Sequence, residues 1–294
     1  MSDIVAIWNP ASGGAPDESD LRAALGDDVE LVATTEDDPG PRQTREAVAD
    51  GADIVVACGG DGTVRACLDP LADARTALAV VPLGTGNLLA SNLGIPSGLD
   101  AAERIGHGEQ CRVDLGRING EAFAVMAGSG FDALMIRDAN DELKSKVGTV
   151  AYVLSGAKNL RSDLVHTTVS VDGSVWFEGR STMVLVGNFG QISGGLEVFP
   201  DARPDDGLLD IAVMSASNLR EWASVAWRLV ARRPQKLDLA RRAQGSHIVV
   251  EHRNARPYQL DGEDREPAKR LEFTIQERAI TIHQGDPDHA GDHS

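Results

Sequence analysis

Three apolar runs in the first 90 residues each lead into a loop of glycine and small polar residues: "NPASGG" (9–14), "GGDGT" (59–63) and "PLGTGN" (82–87). The runs "DIVAIW" (3–8), "DIVVAC" (53–58) and "TALAVVPL" (76–83) read as strands, as does "VELVAT" (29–34), while "RQTREAVAD" (42–50) reads as a helix. Strands alternating with helices predict a doubly wound parallel sheet, and in such a sheet all three loops fall on the edge where ligands bind. Glycine permits positive φ and lets backbone N–H groups approach an anion. A helix starting after Thr63 adds its N-terminal dipole, so the three loops together form a cradle for a triphosphate. Singly they are weak signals: "GGDGT" also suits a tight turn, and "PLGTGN" a helix N-cap. Neither a G-x-x-x-x-G-K-[ST] loop nor a dinucleotide fingerprint is present.

Asp61 stands among the glycines of the middle loop. A carboxylate beside phosphates is repelled unless a cation lies between them. Asp61 therefore reads as a handle for Mg²⁺ bridging phosphate oxygens, which points to phosphoryl transfer rather than nucleotide storage.

After residue 110 the rhythm changes. "CRVDLGRINGEAFAVMAGSG" reads as two strands around an "NG" turn, and "LVHTTVSVDGSVWFEGRSTMVLVGN" turns at Asp172-Gly173. "GLLDIAVMSA", "SHIVVEH", "YQLDGE" and "LEFTIQERAITIH" follow, predicting an antiparallel sandwich interrupted by helices at about 138–160 and 218–233. The expected fold is an α/β domain over 1–110, a β-sandwich over 111–284 and a disordered tail over 285–294.

The 294 residues favour two domains. No stretch reaches the length of a transmembrane helix and no signal peptide is visible, so the expected location is cytoplasmic, with contact at the inner membrane face left open. A net charge of −17 argues against nucleic-acid binding. Cys58, Cys67 and Cys111 form no C-x-x-C and read as buried apolar residues; His247 and His252 make no ligand pattern.

The order of "NPASGG", "GGDGT", "PLGTGNLLA", "GSGFDA", "GNFGQISGG", "PDARPDDGLLD" and "LDGE" resembles that of the diacylglycerol kinase catalytic-domain family, in particular its bacterial and archaeal YegS-like lipid kinases. The resemblance spans about residues 3–283 and implies ATP and Mg²⁺ as cofactors and a lipid as substrate. By motif match, Asn9, Thr34, Gly59, Gly60, Asp61, Gly62, Thr63, Val64, Arg65 and Thr85 line the nucleotide, with Gly84 and Asn87 in the third loop. Glu263 of "LDGE" matches the family's proton acceptor, so Glu263 and Asp61 are the expected catalytic residues. Arg203, Asp206 and Leu208 match a second, structural Mg²⁺ site, the outer two through backbone carbonyls. From the residues alone, "DGE" and "DDGLLD" also read as turns, and Asp132 of "GFDA" as a helix cap or a neighbour of the acceptor hydroxyl. The family often continues "GGDGT" with x-Asn-Glu, whereas here Val64-Arg65-Ala66 follows, removing a glutamate expected in the first helical turn.

The expected function is transfer of the ATP γ-phosphate to a hydroxyl of a diacylglycerol-like lipid. The alternatives are an NAD or sphingoid kinase, or an inactive nucleotide- or lipid-binding regulator. Residues 218–244 carry seven positive charges against Glu221 and Asp238, with Trp227 off the apolar stripe of Trp222, Val225, Ala226 and Leu229. That segment reads either as a peripheral membrane contact or as an ordinary surface helix. Oligomeric state is not legible.

Overall fold

A computed structural model of the chain describes residues 3–106, 108–130, 164–192, 196–216, 221 and 240–285. The helices expected at 138–160 and 218–233, Asp132, and residues 286–294 of the expected tail lie outside the described residues, Glu221 excepted. Contacts divide the chain into two compact units, 1–115 with 277–294, and Gly116–Gln276.

The first unit holds β1 (Ile4–Trp8), α1 (Glu18–Leu25), β2 (Glu30–Ala33), α2 (Pro41–Asp50), β3 (Ile54–Gly59), α3 (Asp61–Leu71), β4 (Ala77–Pro82), α4 (Leu88–Leu93) and α5 (Leu99–Ala102). Every residue of β3 and β4 is buried, the pattern of parallel strands covered on both faces, which is why these runs are continuously apolar. The strands pair in parallel in the order β2-β1-β3-β4. Ala6, Trp8, Ile54, Val56, Cys58, Ala79 and Val81 form one core with Leu21 of α1 and Ala102 of α5. Strand order reverses between β1 and β3, so the loops after these two strands diverge around a crevice, the usual ligand position in an open α/β sheet. α3 begins at Asp61, not after Thr63 as the sequence suggested. The "GGDGT" stretch is therefore itself the helix N-terminus, and Ala66 stands in the second turn rather than the first.

The second unit is antiparallel. β5 (Gln110–Ile118) enters it at Gly116 and pairs with β6 (Glu121–Phe123) across Asn119 and Gly120, whose φ of 49° and 92° suit a type I′ turn. β7 (Met126–Ser129), β8 (Val165–Val171), β9 (Ser174–Ser181) and β10 (Met183–Gly187) follow. Then come the short β11 (Gln191–Ile192) and β12 (Leu196–Glu197), β13 (Leu209–Met214), β14 (Ala240–Gly245), β15 (His247–Leu260) and β16 (Glu263–His283). One run pairs as β14-β13-β10-β7-β15, and another as β9-β8-β15-β16. β15 belongs to both: His252 and the residues before it pair with β8, and Tyr258–Leu260 pair with β7. Register shifts between Glu251 and Tyr258 lie where it changes partner, the usual device for turning a strand from one layer of a sandwich to the other. Phe123, Val184, Val186, Ile211, Ile248, Leu260, Leu271 and Phe273 fill the core, with the Phe123 and Phe273 rings edge-to-face at 6.4 Å.

Two strand expectations are corrected. "SHIVVEH" and "YQL" are one strand, and "EDREPAKR" belongs to β16; Pro267 is accommodated beside the register shifts, where the ladder is already interrupted. "EAFAVMAGSG" is broken into β6 and β7, for a reason given below. An α/β unit followed by an antiparallel β-sandwich is the fold that the sequence predicted.

Candidate active site

Each of the three loops is tied to its neighbours. Asn9 donates its backbone N–H to Cys58 O (3.0 Å), and its side-chain oxygen accepts from Ala11 N (3.0 Å). Ser12 Oγ and Gly14 N both donate to Leu83 O, each at 3.1 Å, which joins the first loop to the third. Leu83 N donates to Gly59 O (2.9 Å), joining the third to the second. Gly60 and Gly84 face each other so closely that a Cβ on Gly84 would stand 2.6 Å from Gly60 Cα. Glycine at 84 is what lets these loops approach, while a Cβ on Gly60 would be a tight 3.3 Å from Gly84 Cα.

Asn87 takes the left-handed conformation, with φ of 45°. Its side-chain oxygen accepts from Gly84 N (3.0 Å) and its amide donates to Gly84 O (2.6 Å), closing the third loop on itself. Asp61 Oδ1 then accepts from Leu88 N at 2.6 Å. A carboxylate in the first turn of α3 thus caps α4, whose first N–H groups have no partner within the helix. This contact spans 27 residues, and no local signal announces it. Thr63 is buried, with Asn9 Nδ2 at 3.5 Å from its hydroxyl. Thr34 is buried at the end of β2, its N–H donating to Trp8 O (2.7 Å). Gly62, Val64 and Arg65 lie in the first turns of α3 and Thr85 in the third loop. Ala66 lies close beneath Gly40. The first unit therefore brings Asn9, Thr34, Gly59–Arg65, Gly84, Thr85 and Asn87 to one edge of its sheet.

In the second unit, Asp261 and Gly262 form the turn between β15 and β16, with φ of 43° and 89°. The Asp261 carboxylate accepts three backbone N–H groups, from Ala124 (2.7 Å), Val125 (2.9 Å) and Met126 (2.9 Å). Those N–H groups turn to Asp261 instead of a strand partner, which is why β6 and β7 are separate. Gln259 Oε1 accepts from Gly262 N (2.7 Å). The turn is therefore clamped from two sides, and Glu263, the first residue of β16, projects from it. The Glu263 carboxylate is 37% exposed and lies 3.4 Å from Arg265 Nη1; Arg265 also pairs with Glu121 at 2.9 Å. Burial opposes the Arg265 cation, but Glu121 and Glu263 outweigh it and raise its pKa above the ordinary value. "DGE" is thus a turn, and one that holds a partly exposed glutamate in a defined place.

Arg203 and Asp206 are exposed and Leu208 is half-buried. Asp206 Oδ1 accepts from Leu208 N (3.0 Å), and Gly207 has φ of 74°. The pKa of Asp210, two residues on, is raised by burial and by the charges of Asp206 and Asp201, against a hydrogen bond from Gln244. Among the described residues no three His, Cys, Asp or Glu side chains converge on a possible metal position. Asp206 is the only carboxylate among the three expected ligands, and Asp201, Asp206 and Asp210 concentrate negative charge there.

Of the cysteines, Cys58 and Cys67 are buried, and burial pushes the Cys67 thiol up to about 11. Cys111, near the exposed start of β5, is only partly buried, unlike the sequence reading. No sequence signal announces a buried polar cluster in the sandwich. His252 Nε2 lies 2.7 Å from Ser129 Oγ, and its Nδ1 lies 3.0 Å from Thr167 Oγ1, which is 2.7 Å from Ser181 Oγ. Arg241 and Arg242, counted with the basic segment 218–244, lie on β14. Arg241 stacks 5.5 Å from the Trp176 ring and Arg242 is half-buried. The other five cations of that segment lie outside the described residues.

A parallel α/β unit with three interlocked glycine loops followed by a β-sandwich matches a class of phosphotransferases acting on lipid alcohols. The model of the diacylglycerol kinase catalytic domain matches residues 3–118, and that of the YegS C-terminal NAD kinase beta sandwich-like domain matches 125–283. A Pseudomonas aeruginosa protein named "Probable lipid kinase YegS-like" is 32% identical over 275 residues, 90% of this chain and 89% of its own length. A Bacillus subtilis diacylglycerol kinase is 33% identical over 232 residues, 75% of this chain and 76% of its own. A diacylglycerol kinase structure from Bacillus anthracis superposes with a TM-score of 0.74 at 22% identity, covering 98% of each chain. An NAD kinase from Archaeoglobus fulgidus in complex with ATP shares the fold at 13% identity, with a TM-score of 0.51 and coverage of 97% and 95%. The chain belongs to the diacylglycerol kinase catalytic-domain family, with the YegS-type sandwich as its second half.

Proposed function

We propose that the protein transfers the γ-phosphate of ATP to a hydroxyl of a diacylglycerol-like glycerolipid. The observation that carries this reading is the interlocking of three glycine loops at the reversal of strand order, with Asp61 joining the second loop to the helix after the third. Backbone N–H groups of these loops and the N-terminus of α3 bind the triphosphate. Asn9, Thr34, Gly59–Arg65, Gly84, Thr85 and Asn87 line the nucleotide.

Mg²⁺, when bound, neutralises charge on the phosphate oxygens. Asp61 would hold it at the nucleotide, and Asp206 with the carbonyls of Arg203 and Leu208 would hold a second, structural ion. Glu263 takes the proton of the lipid hydroxyl as it attacks. Asp261 is a positioning residue, since its three N–H contacts set where Glu263 leaves the turn.

Among the described residues no helix is long and apolar enough to cross a membrane. The lipid is reached from the cytoplasmic side, with the basic segment 218–244 as the candidate for peripheral membrane contact. The test is incubation with ATP, Mg²⁺ and a panel of diacylglycerol, sphingoid base and NAD, followed by mass spectrometry. The expected result is a gain of about 80 Da, the added HPO₃, on diacylglycerol. A gain on NAD or the sphingoid base alone replaces this reading with the corresponding kinase. Tight ATP binding without any product makes the protein a regulator.

A further inference from the structure

The sandwich carries a row of cations that the transfer reaction does not use. β8 pairs His166 with Arg180 of β9, and β15 pairs His252 with Thr167 of β8. Arg253, the next residue of β15, therefore falls beside His166. Strand alternation turns Thr167 and His252 inward, where both are buried, and turns His166, Arg180 and Arg253 outward, where all three are exposed. With Leu164, Val165 and Asn254 they line an open cavity of about 540 Å³. Among the described residues no carboxylate forms an ion pair with the row, although Glu178 and Glu251 lie two residues away on the same face. Among the described residues the Arg180 guanidinium donates to the Leu164 carbonyl, at 3.1 and 3.3 Å. Glu251 and Glu178 are in register with Thr168 on the next outward-facing row, a full step along the strands from the cations.

We propose that this row binds the phosphate of an anionic phospholipid head group. The chain has a net charge of −17, so an anion is repelled by the molecule as a whole and is held only where cations cluster. Two guanidiniums offer planar N–H forks matched to phosphate oxygens, and the imidazole between them adds a third hydrogen-bonding group. The cavity falls within the range of roughly 300–1,000 Å³ typical of small-molecule sites, enough for a glycerophosphate head group. The choice of a lipid phosphate over a free one rests on the lipid-kinase reading, because an enzyme whose acceptor is anchored in a bilayer gains from a contact with the lipids around it.

The test compares the full-length protein with the Arg180→Ala/Arg253→Ala double variant, leaving 218–244 unchanged. Sedimentation is measured with phosphatidylglycerol-containing and pure phosphatidylcholine vesicles, with and without inorganic phosphate, alongside activity on a short-chain soluble diacylglycerol. The expected result is a loss of about tenfold or more in binding to the anionic vesicles, little change on neutral ones, and unchanged activity on the soluble acceptor. The Arg180→Lys/Arg253→Lys variant should keep most of the binding. Unchanged sedimentation of the double variant overturns the proposal, and so does an equal loss on neutral vesicles. Saturable binding of inorganic phosphate that displaces the vesicles makes this a free-anion site and overturns the lipid assignment. Should the double variant fail to fold, Arg253→Glu serves instead, since Arg253 is exposed and a single exposed substitution disturbs the fold least. A wild-type protein inactive on every soluble acceptor defeats the kinase reading, while the vesicle comparison still decides this one.

Discussion

At the scale of single residues, Asp61 has two separable roles. Its Oδ1 accepts the Leu88 N–H at 2.6 Å, and under the proposed function its charge serves a cation. Asparagine can still accept that N–H but carries no charge. Asp61→Asn should therefore melt within a few degrees of wild type and lose phosphoryl transfer by about 10²-fold or more, as expected for removing a group that stabilises transition-state charge. Wild-type turnover in a steady-state kinase assay would confine Asp61 to capping α4. Glu263→Gln should behave differently. Glutamine is nearly isosteric, and the ion pair it loses to Arg265 is partly exposed and at 3.4 Å, so stability should change by less than about 1 kcal/mol. Loss of a general base should lower kcat by about 10²–10⁴-fold while nucleotide affinity, measured by calorimetry, stays the same. A variant keeping more than about a third of the rate would leave Glu263 as a turn residue only. Asp61 stands out in the sequence because glycines surround it, and Glu263 because "LDGE" matches a motif of the family. Asp261 does not, because its three N–H partners lie about 135 residues away.

At the scale of elements, the approach of two loops depends on what is missing from Gly84. A methyl group there would meet Gly60 Cα at 2.6 Å, backbone against backbone, with no side chain able to move aside. Gly84→Ala should push the third loop off the second and weaken nucleotide binding by about tenfold or more at a cost of about 1–3 kcal/mol in stability. Nucleotide titration and thermal melting separate the two effects, and unaltered affinity would show that the loops do not act as one cradle.

β15 brings a different dependence, on pH. His252 sits among Ser129, Thr167 and the Arg256 cation, and burial first, then Arg256, lowers its pKa to about 4. The unfolded chain takes up this proton near pH 6.5, the folded chain only near pH 4. The unfolded state therefore binds more protons within that window, and the stability present above pH 6.5 is lost as pH falls toward 4, by about 2–3 kcal/mol. Chemical denaturation at pH 7 and pH 4.5 reads the difference, and His252→Gln should remove much of it. An equal pH slope in that variant would assign the acid sensitivity to other groups.

At the scale of the whole molecule, the first unit is completed by the far end of the chain. β16 leaves the second unit at Glu277, and Ile282 then pairs in parallel with Leu78 of β4. Asp73 N donates to Ala279 O (2.8 Å), Gln284 N to Glu109 O (3.2 Å) and Arg278 N to Asp114 Oδ1 (2.7 Å), while Ala279, Ile280 and Ile282 are buried. Ile282→Ala should cost about 2–4 kcal/mol, and cutting the chain after Gln276 should expose the first unit to limited proteolysis before the second. Equal protection of the two units would make the returning strand dispensable. The α/β half, its loops and the β-rich half were legible in the sequence, because burial on both faces demands continuous apolar runs and a tight anion cradle demands glycine. Both are local requirements, written within a few residues of where they act. The capping of α4 by Asp61, the clamp on the Glu263 turn, the passage of β15 between layers and the return of 277–283 to the first unit were decided by tertiary structure alone. Each joins residues far apart in the chain through backbone hydrogen bonds or strand pairing, to which almost any sequence contributes the same N–H and C=O groups, so no pattern of side chains records the partner.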